Sequence, residues 1–211
     1  MATASPASAG APTLYDFRPS GNGHKIRLLL KLTGQPYQYV DVDILARQSR
    51  TPAYLALNPF GKIPLLALPD GRCMAESNAI LFHLAQDTSF WPADAWAQAN
   101  VLRWMFFEQY SHEPNIAVLR SWRLHKPDAM GDQAAIIAKQ AGGAAALAHI
   151  EQGLTEAGWL VGGGPTIADL CLYPYSKLAP EAGFDLTPYP KLMAWLAAIE
   201  ALPGYAPITE A

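Results

Sequence analysis

Glu76-Ser77-Asn78-Ala79-Ile80, 12 residues after the pair Ile63-Pro64, is the stretch that decides how the first part of the chain folds. Its pattern is that of a strand end followed by the first turn of a helix, with a hydroxyl residue at the N-cap. A helix N-terminus presents backbone N–H groups and the positive end of the helix dipole. With the Ser77 hydroxyl added, these groups suit a carboxylate, so the stretch predicts a binding site for a small anion.

The composition of the chain restricts its partners. It has 211 residues, of which 51% are hydrophobic and 16% charged, and its formal net charge is −3. Because there is no run of Lys or Arg, we expect no nucleic acid and no anionic membrane as a partner. No apolar segment approaches the ~20 residues of a membrane span, and residues 1–10 lack the pattern of a secretory signal. We therefore expect a cytoplasmic protein.

The cysteines and histidines do not predict a metal site. Cys73 and Cys171 match no metal-binding or CxxC spacing, which favours two reduced thiols. His112-Glu113 begins like an HExxH motif, but Ile116 stands where the second histidine is needed. We expect neither a metal nor a permanently bound cofactor.

The first 87 residues predict one α/β unit with the element order βαβαββα. Alternating apolar residues indicate strands, helical spacing indicates helices, and Pro69-Asp70-Gly71 indicates a hairpin turn. A strand, a helix and a second strand within about 30 residues form a βαβ unit. The strands are expected at 14–17, 37–44, 63–68 and 73–75, and the helices at 23–32, 52–58 and 77–86.

The remainder of the chain predicts helices only. Strand patterns disappear after Pro92, and Ala-rich helical stretches follow, with breaks at residues such as Pro114. These helices are expected at 94–112, 115–125, 130–156, 166–180 and 188–201. We expect a flexible tail at 1–12, an α/β domain at 13–87, a linker at 88–93 and an all-helical domain at 94–211.

One of the predicted helices carries a strong capping signal. Thr166-Ile-Ala-Asp169 follows a glycine-rich turn and precedes an apolar run. The Thr166 hydroxyl can accept from the backbone N–H of Asp169, while the Asp169 carboxylate reaches back to the N–H of Thr166. This pattern predicts a structural cap, with no part in a binding site.

Several of these features together resemble the cytosolic glutathione transferases. The resemblance runs from about Leu14 to Pro203 and rests on three motifs and on the helical second half of the chain. Two of the motifs precede that helical half, and the third lies within it. The motifs are Asn58-Pro-Phe-Gly-Lys-Ile-Pro64, Glu76-Ser-Asn-Ala-Ile80 and Pro165-Thr-Ile-Ala-Asp169. The family implies a thioredoxin-like N-terminal domain that binds glutathione, an all-α C-terminal domain that supplies a second-substrate pocket, and a homodimer. Glutathione would be a co-substrate.

The resemblance also implies which residues bind glutathione. Glu76-Ser77 match the family's site for the γ-glutamyl group, whose carboxylate fits the anion site predicted above. Ile63 resembles the residue before the family's cis-proline, here Pro64, whose backbone pairs with the cysteinyl part of the ligand. Lys62 and Gln48 stand where related enzymes reach toward the glycyl end, although both also fit ordinary solvated positions.

The turn Ser20-Gly21-Asn22-Gly23 lies where the family activates the glutathione thiol. It contains no cysteine, which argues against the cysteine classes of the family. The string from Asn22 to Lys25 resembles the nu-like bacterial members, whose turn has a Thr two residues before an Asn, and Ser20 would replace that Thr. Ser20 and Asn22 are therefore the expected donors to the thiolate, and Tyr15 on the preceding strand is the alternative.

For the second-substrate pocket the sequence offers four candidates. Trp104, Phe107 and Tyr110 fall on one face of a predicted helix that borders the pocket in this family, although a core or subunit-contact face fits equally well. Arg120 offers a charge near the ligand's glycyl end or the second substrate, with a surface position as the alternative.

Three functions follow from the resemblance. The first is attack of the glutathione thiolate on a small hydrophobic electrophile, and the second is glutathione-dependent reduction of disulfides, which is associated with the nu-like members. The third is a non-catalytic ligand-binding or assembly module of the same fold, which would predict a damaged thiol turn or γ-glutamyl site.

Overall fold

The computed structural model describes residues 10–210. Their contacts form two compact units, which we call the first unit (10–86 with 203–210) and the second unit (87–202). Of the expected tail at 1–12, residues 1–9 lie outside the described residues, and the linker at 88–93 stays a prediction. Within residues 10–210, no helix is long and apolar enough to cross a bilayer.

The first unit has a four-stranded mixed sheet with helices, in the predicted order βαβαββα. Its sheet order is β2-β1-β3-β4, with β1 parallel to β2 and β3 antiparallel to both β1 and β4. The strands are β1 (Thr13–Asp16), β2 (Gln38–Asp41), β3 (Leu65–Ala67) and β4 (Cys73–Ala75). The helices are α1 (Gly21–Thr33), α2 (Pro52–Leu57) and α3 (Ser77–Ala85), with a 3₁₀ turn at Gln48–Arg50.

Helix α1 is defined at both ends by short-range signals. The Ser20 hydroxyl accepts from the backbone N–H of Gly23 at 3.5 Å and so caps the first turn. Gly34 ends the helix in the left-handed conformation, at φ 66°, which glycine adopts without steric cost. Gly23 has a packing role, because a Cβ built there would stand 1.7 Å from Asp16 Oδ1. The first turn of α1 therefore lies directly against the end of β1.

Residues 203–210 belong with the first unit, whereas the sequence placed them in the helical part of the chain. His24 Nε2 donates to the carbonyl of Ala206 at 2.9 Å, and Arg27 Nη2 donates to the carbonyl of Ile208 at 2.9 Å. Arg27 is itself buried and paired with the buried carboxylate of Asp16. These long-range contacts hold the segment against α1, and no short-range pattern in the sequence signals them.

The second unit is helical, as predicted. Its helices are α4 (Ala95–Phe107), α5 (Glu113–His125), α6 (Gln133–Gly153), α7 (Ile167–Lys177) and α8 (Pro190–Glu200), with 3₁₀ turns at Pro127–Gly131 and Ala179–Ala182. The expected break at Pro114 is wrong. A π-helical turn, Glu108–His112, joins α4 to α5, so the chain stays helical through Pro114, which lies in the first turn of α5.

The predicted cap at Thr166 is present and more extensive than expected. Asp169 Oδ2 accepts from the backbone N–H of Thr166 at 2.7 Å, which completes a capping box at the start of α7. Asp169 Oδ1 accepts from Trp195 Nε1 at 2.9 Å and from the backbone N–H of Leu160 at 3.0 Å. Burial raises the pKa of Asp169, and these donors oppose the shift. One carboxylate thus ties α7, α8 and the preceding loop together.

Candidate functional site

The candidate site begins at the N-terminus of α3. Helix α3 starts at Ser77, which is 5% exposed, and its N-cap residue is Glu76, so the expectation of a hydroxyl residue at the N-cap is wrong by one position. Glu76 has φ 69° and ψ 113°, a region that L-residues rarely adopt and that costs of the order of 1–3 kcal/mol. The Glu76 side chain is exposed and makes no capping hydrogen bond. The backbone at the start of α3 is thus strained, and the Glu76 side chain does not stabilise it by capping the helix.

Two hydrogen bonds join this helix start to the turn that precedes α1. Ser77 Oγ donates to Asn22 Oδ1 at 3.2 Å, across 55 residues of sequence. Lys25 Nζ donates to the same Ser77 oxygen at 3.4 Å. The expected anion site and the expected thiol turn therefore meet at a single hydroxyl group.

Lys25 is a residue of this site that the sequence reasoning missed. Its side chain is fully buried, although it stands on α1 only three positions after Asn22. Helical spacing puts residues i and i+3 on one face, so its place near Asn22 was available from the sequence. Its burial was not, because burial depends on what packs over the helix.

The structure gives Ser20 a local role. The Ser20 hydroxyl accepts the capping hydrogen bond from Gly23, and its side chain is half-buried at the mouth of the turn. A hydroxyl that accepts one hydrogen bond still has its own O–H to donate. Ser20 and Asn22 therefore stand on the same first turn, close to the positive end of the α1 dipole.

The peptide bond between Ile63 and Pro64 is cis, as the resemblance implied. The carbonyl of Lys62, just before this bond, accepts from Tyr54 Oη at 2.7 Å and from Asn58 Nδ2 at 2.8 Å. The Lys62 side chain is exposed. The loop that leads into β3 is thus held by its backbone, and the Lys62 amine remains at the surface.

Gln48 and Tyr15 border one cavity of the first unit. Gln48 Oε1 accepts from the backbone N–H of Asp43 at 2.8 Å, which fixes the side chain within its own loop. Tyr15 packs edge-on against Tyr54, with ring centroids 6.2 Å apart. The cavity has a volume of about 310 Å³ and is lined by Tyr15, Val40, Val42, Gln48, Thr51, Ala53, Tyr54 and Leu57.

On β1, Tyr15 stands between two buried residues. Leu14 and Asp16 are buried, and Asp16 pairs with Arg27 on α1. Because successive strand residues point to opposite faces, Tyr15 lies on the other face of the sheet from Asp16. The helix that carries Ser20 and Asn22 at its start packs against the Asp16 side.

The four second-substrate candidates have different surroundings. Trp104 is 4% exposed and donates through Nε1 to the carbonyl of Leu160 at 3.2 Å, so it belongs to the core. Phe107 packs edge-on against Trp104, with ring centroids 5.3 Å apart. Tyr110 is 88% exposed, because it lies on the π-helical turn that follows α4 and changes the helical spacing. Arg120 Nε donates to Glu181 Oε2 at 2.6 Å.

Burial shifts the pKa values of two groups beside the thiol turn. Burial lowers the pKa of His24 to about 4, and the nearby Arg27 charge acts in the same direction, while the hydrogen bond to Ala206 opposes it. Burial raises the pKa of Asp16 to about 7, although the Arg27 guanidinium opposes that shift. In the folded protein His24 is therefore neutral at pH 7. Among residues 10–210, no cluster of three His, Cys, Asp or Glu side chains is placed to hold a metal.

Comparison with known families assigns both units. The model of the glutathione S-transferase N-terminal domain matches residues 11–86, and that of the C-terminal domain matches residues 117–203. The chain belongs to the glutathione S-transferase family. This confirms the predicted superfamily, while the nu-like subtype stays a prediction.

Individual relatives of this glutathione S-transferase family member carry different activities in their names. Maleylacetoacetate isomerase from Rhizobium meliloti (strain 1021) is 31% identical over 192 residues, 88% of this chain and 90% of the relative. The disulfide-bond oxidoreductase YfcG from Escherichia coli (strain K12) is 27% identical over 195 residues, 89% of this chain and 90% of the relative. A glutathione S-transferase from Pseudomonas fluorescens has a crystal structure that covers 94% of this chain and 99% of its own, at 42% identity and a TM-score of 0.90.

Proposed function

We propose that this protein binds glutathione and lowers the pKa of its thiol, so that the thiolate attacks a small hydrophobic electrophile. Family membership supports glutathione as the ligand. In the reaction the thiol proton passes to solvent, the sulfur electron pair forms a bond to carbon, and the leaving group departs with its own electron pair.

The γ-glutamyl carboxylate would bind at the start of α3. The helix N-terminus supplies backbone N–H groups and a positive dipole end. The Ser77 hydroxyl, which donates to Asn22 in this structure, would turn its proton to the bound carboxylate. The unusual backbone of Glu76 supports a binding role, since strained conformations of this kind concentrate at ligand sites. The exposed Glu76 carboxylate is suited to the ligand's α-ammonium group.

The thiol would lie at the turn that carries Ser20 and Asn22. A free thiol has a pKa of about 8.5, so only a few per cent is thiolate at neutral pH. Lowering that pKa by about 2 units requires a preference of about 2.7 kcal/mol for the anion. The Ser20 hydroxyl, the Asn22 amide and the α1 dipole are three sources of such a preference.

The observation that carries the proposal is the 3.2 Å hydrogen bond between Ser77 Oγ and Asn22 Oδ1. In glutathione the γ-glutamyl group and the cysteinyl sulfur belong to adjacent residues. A site for this tripeptide must therefore hold its carboxylate anchor and its thiol-activating turn close together. The hydrogen bond supports such a site, because it brings Ser77 of the proposed carboxylate anchor into contact with Asn22 of the proposed thiol turn.

Glutathione-dependent disulfide reduction is a second candidate, favoured by the similarity to YfcG. One glutathione thiolate attacks a substrate sulfur, forms a mixed disulfide and releases the first substrate thiolate. A second glutathione thiolate then attacks the glutathione sulfur, which yields oxidised glutathione and the second substrate thiolate. The turn from Ser20 to Gly23 contains no cysteine, so the turn itself supplies no thiol and both thiols of this reaction would come from glutathione.

Parallel assays distinguish the two reactions. Purified protein is incubated with glutathione and either a chloronitrobenzene or a small hydroxyalkyl disulfide, and conjugate or oxidised glutathione is measured. We expect turnover of the chloronitrobenzene, while turnover of the disulfide alone supports the second candidate. A Cys73→Ser variant controls for direct exchange with this exposed thiol. Failure to turn over either substrate, together with no retention on immobilised glutathione, contradicts the enzyme proposal.

A further inference from the structure

Lys25 is a buried lysine in contact with the proposed anchor. Its side chain has no exposed surface, and its Nζ lies 3.4 Å from Ser77 Oγ. Lysine is almost never fully buried unless its charge has partners, because removing an ammonium group from water is costly. Lys25 and Asn22 each have a further interaction besides these hydrogen bonds.

The contact determines which way the Ser77 hydroxyl points. An ammonium group has three donors and no acceptor, so the Ser77 oxygen must accept from Lys25. The single Ser77 proton is then directed away from Lys25, and Asn22 Oδ1 at 3.2 Å receives it. Donation from a charged group also strengthens the donor power of the hydroxyl that accepts it.

We propose that Lys25 is the positioning residue that makes this site selective for a γ-glutamyl α-carboxylate, by holding the hydrogen-bonded pair Ser77 and Asn22 in place at the start of α3 and by placing a buried positive charge behind it. The inference rests on the proposed binding of glutathione and adds a role for a residue outside the helix start itself. Charges interact strongly where water is excluded, so a cation one hydroxyl away from a bound carboxylate favours the anionic ligand over a neutral one.

The selectivity is measurable with two ligands. The first is glutathione, and the second is the analogue whose γ-glutamyl α-carboxylate is replaced by an uncharged amide. The ratio of their dissociation constants reports how much the site favours the carboxylate. A purely structural role of Lys25 changes both constants together and leaves the ratio unaltered. Calorimetric titration of the whole chain gives both values at pH 7.

Three substitutions of Lys25 and one control test the proposal. Lys25→Met removes the charge and the donor, and we expect the selectivity ratio to fall about tenfold. Lys25→Gln is a second neutral variant with a polar side chain, in case the methionine variant does not fold, and its ratio should also fall. Lys25→Arg keeps the charge and should retain most of the ratio. Lys31→Met, an exposed position near the end of the same helix, should leave it unchanged.

The outcomes separate this inference from the proposed function. If the wild-type protein binds neither ligand, the binding of glutathione is itself contradicted. If the wild type prefers glutathione and a folded Lys25→Met or Lys25→Gln protein keeps the same ratio, the role of Lys25 is overturned while glutathione binding stands. Thermal melting establishes which variants are folded.

Discussion

The starts of helices α7 and α3 resemble each other in sequence, since each has a hydroxyl residue near a carboxylate residue. At α7 the carboxylate of Asp169 is turned into the protein, where it accepts from Thr166, Leu160 and Trp195. At α3 the carboxylate of Glu76 is exposed and makes no capping bond. The N-terminus of α7 is bound by a carboxylate of the protein itself, that of Asp169. The N-terminus of α3 has no such partner from Glu76, so its N–H donors can bind the carboxylate of a ligand.

The backbone conformations of the two N-cap residues, Thr166 and Glu76, also differ. Thr166 has φ −126°, within the extended region that suits a helix cap. Glu76 has φ 69°, in a region that costs free energy. A start that serves only the fold needs no such strain. The comparison therefore predicts that changes at α7 lower stability without affecting the ligand, while changes at α3 affect the ligand.

The largest expected effect follows from removing the internal anion. Asp169→Ala removes the buried acceptor of three N–H groups, those of Trp195, Leu160 and Thr166. Because these donors then remain buried without a partner, the free energy of unfolding should fall by about 3–5 kcal/mol. Urea unfolding followed by tryptophan fluorescence measures the change. Glu156→Ala, an exposed acidic position of the second unit, is the matched control. A loss below about 1 kcal/mol would show that the buried carboxylate is not the main support of this helix start.

Acid should act on the first unit through His24. Its pKa is about 4 in the folded protein, below its ordinary value of 6.5, so the unfolded state binds the proton first as the pH falls. The contribution to stability is complete above pH 6.5 and is lost progressively down to about pH 4. Each pKa unit corresponds to about 1.4 kcal/mol, so the loss reaches about 3 kcal/mol.

A His24→Gln variant isolates this effect. The glutamine amide can still donate to the Ala206 carbonyl but does not titrate. We expect the unfolding free energy of the wild type to fall relative to that of the variant between pH 6.5 and 4. Parallel pH profiles of the two proteins would refute the burial of a neutral His24 as the cause.

The smallest stability effects form a matched pair, Thr166→Ala and Ser77→Ala. Each removes one buried hydroxyl at a helix start, so each should lower the free energy of unfolding by about 1 kcal/mol. Only Ser77→Ala should also abolish the rise in melting temperature that saturating glutathione gives the wild type. If both variants keep that rise, Ser77 is not part of the anchor. If both lose it, the contrast between the two helix starts is wrong.

Short-range chemistry explains what the sequence predicted well. The capping box at Thr166 and Asp169 involves residues three apart, and the element order of the first unit follows from local periodicity and turn residues. The cis bond before Pro64 was implied by the family resemblance, because only about 5–6% of X–Pro bonds are cis in folded proteins.

What the sequence did not predict depends on contacts between distant residues. The burial of Lys25 and its bond to Ser77 join positions 52 residues apart. The π-helical turn before Pro114 joins α4 to α5, so the chain stays helical where a break was expected. The same turn moves Tyr110 out of line with Trp104, so a regular helical period could not place these rings correctly.

The return of residues 203–210 to the first unit has a consequence for synthesis on the ribosome. Chains are made from the N-terminus, and domains generally begin to fold in that order. Here the carbonyls of Ala206 and Ile208, which accept from His24 and Arg27, belong to residues made more than 100 residues after β4 is complete. The unit that is translated first can therefore be finished only after the whole helical unit has emerged. A nascent chain halted after residue 86 would carry the proposed thiol turn on a helix that still lacks its last partners.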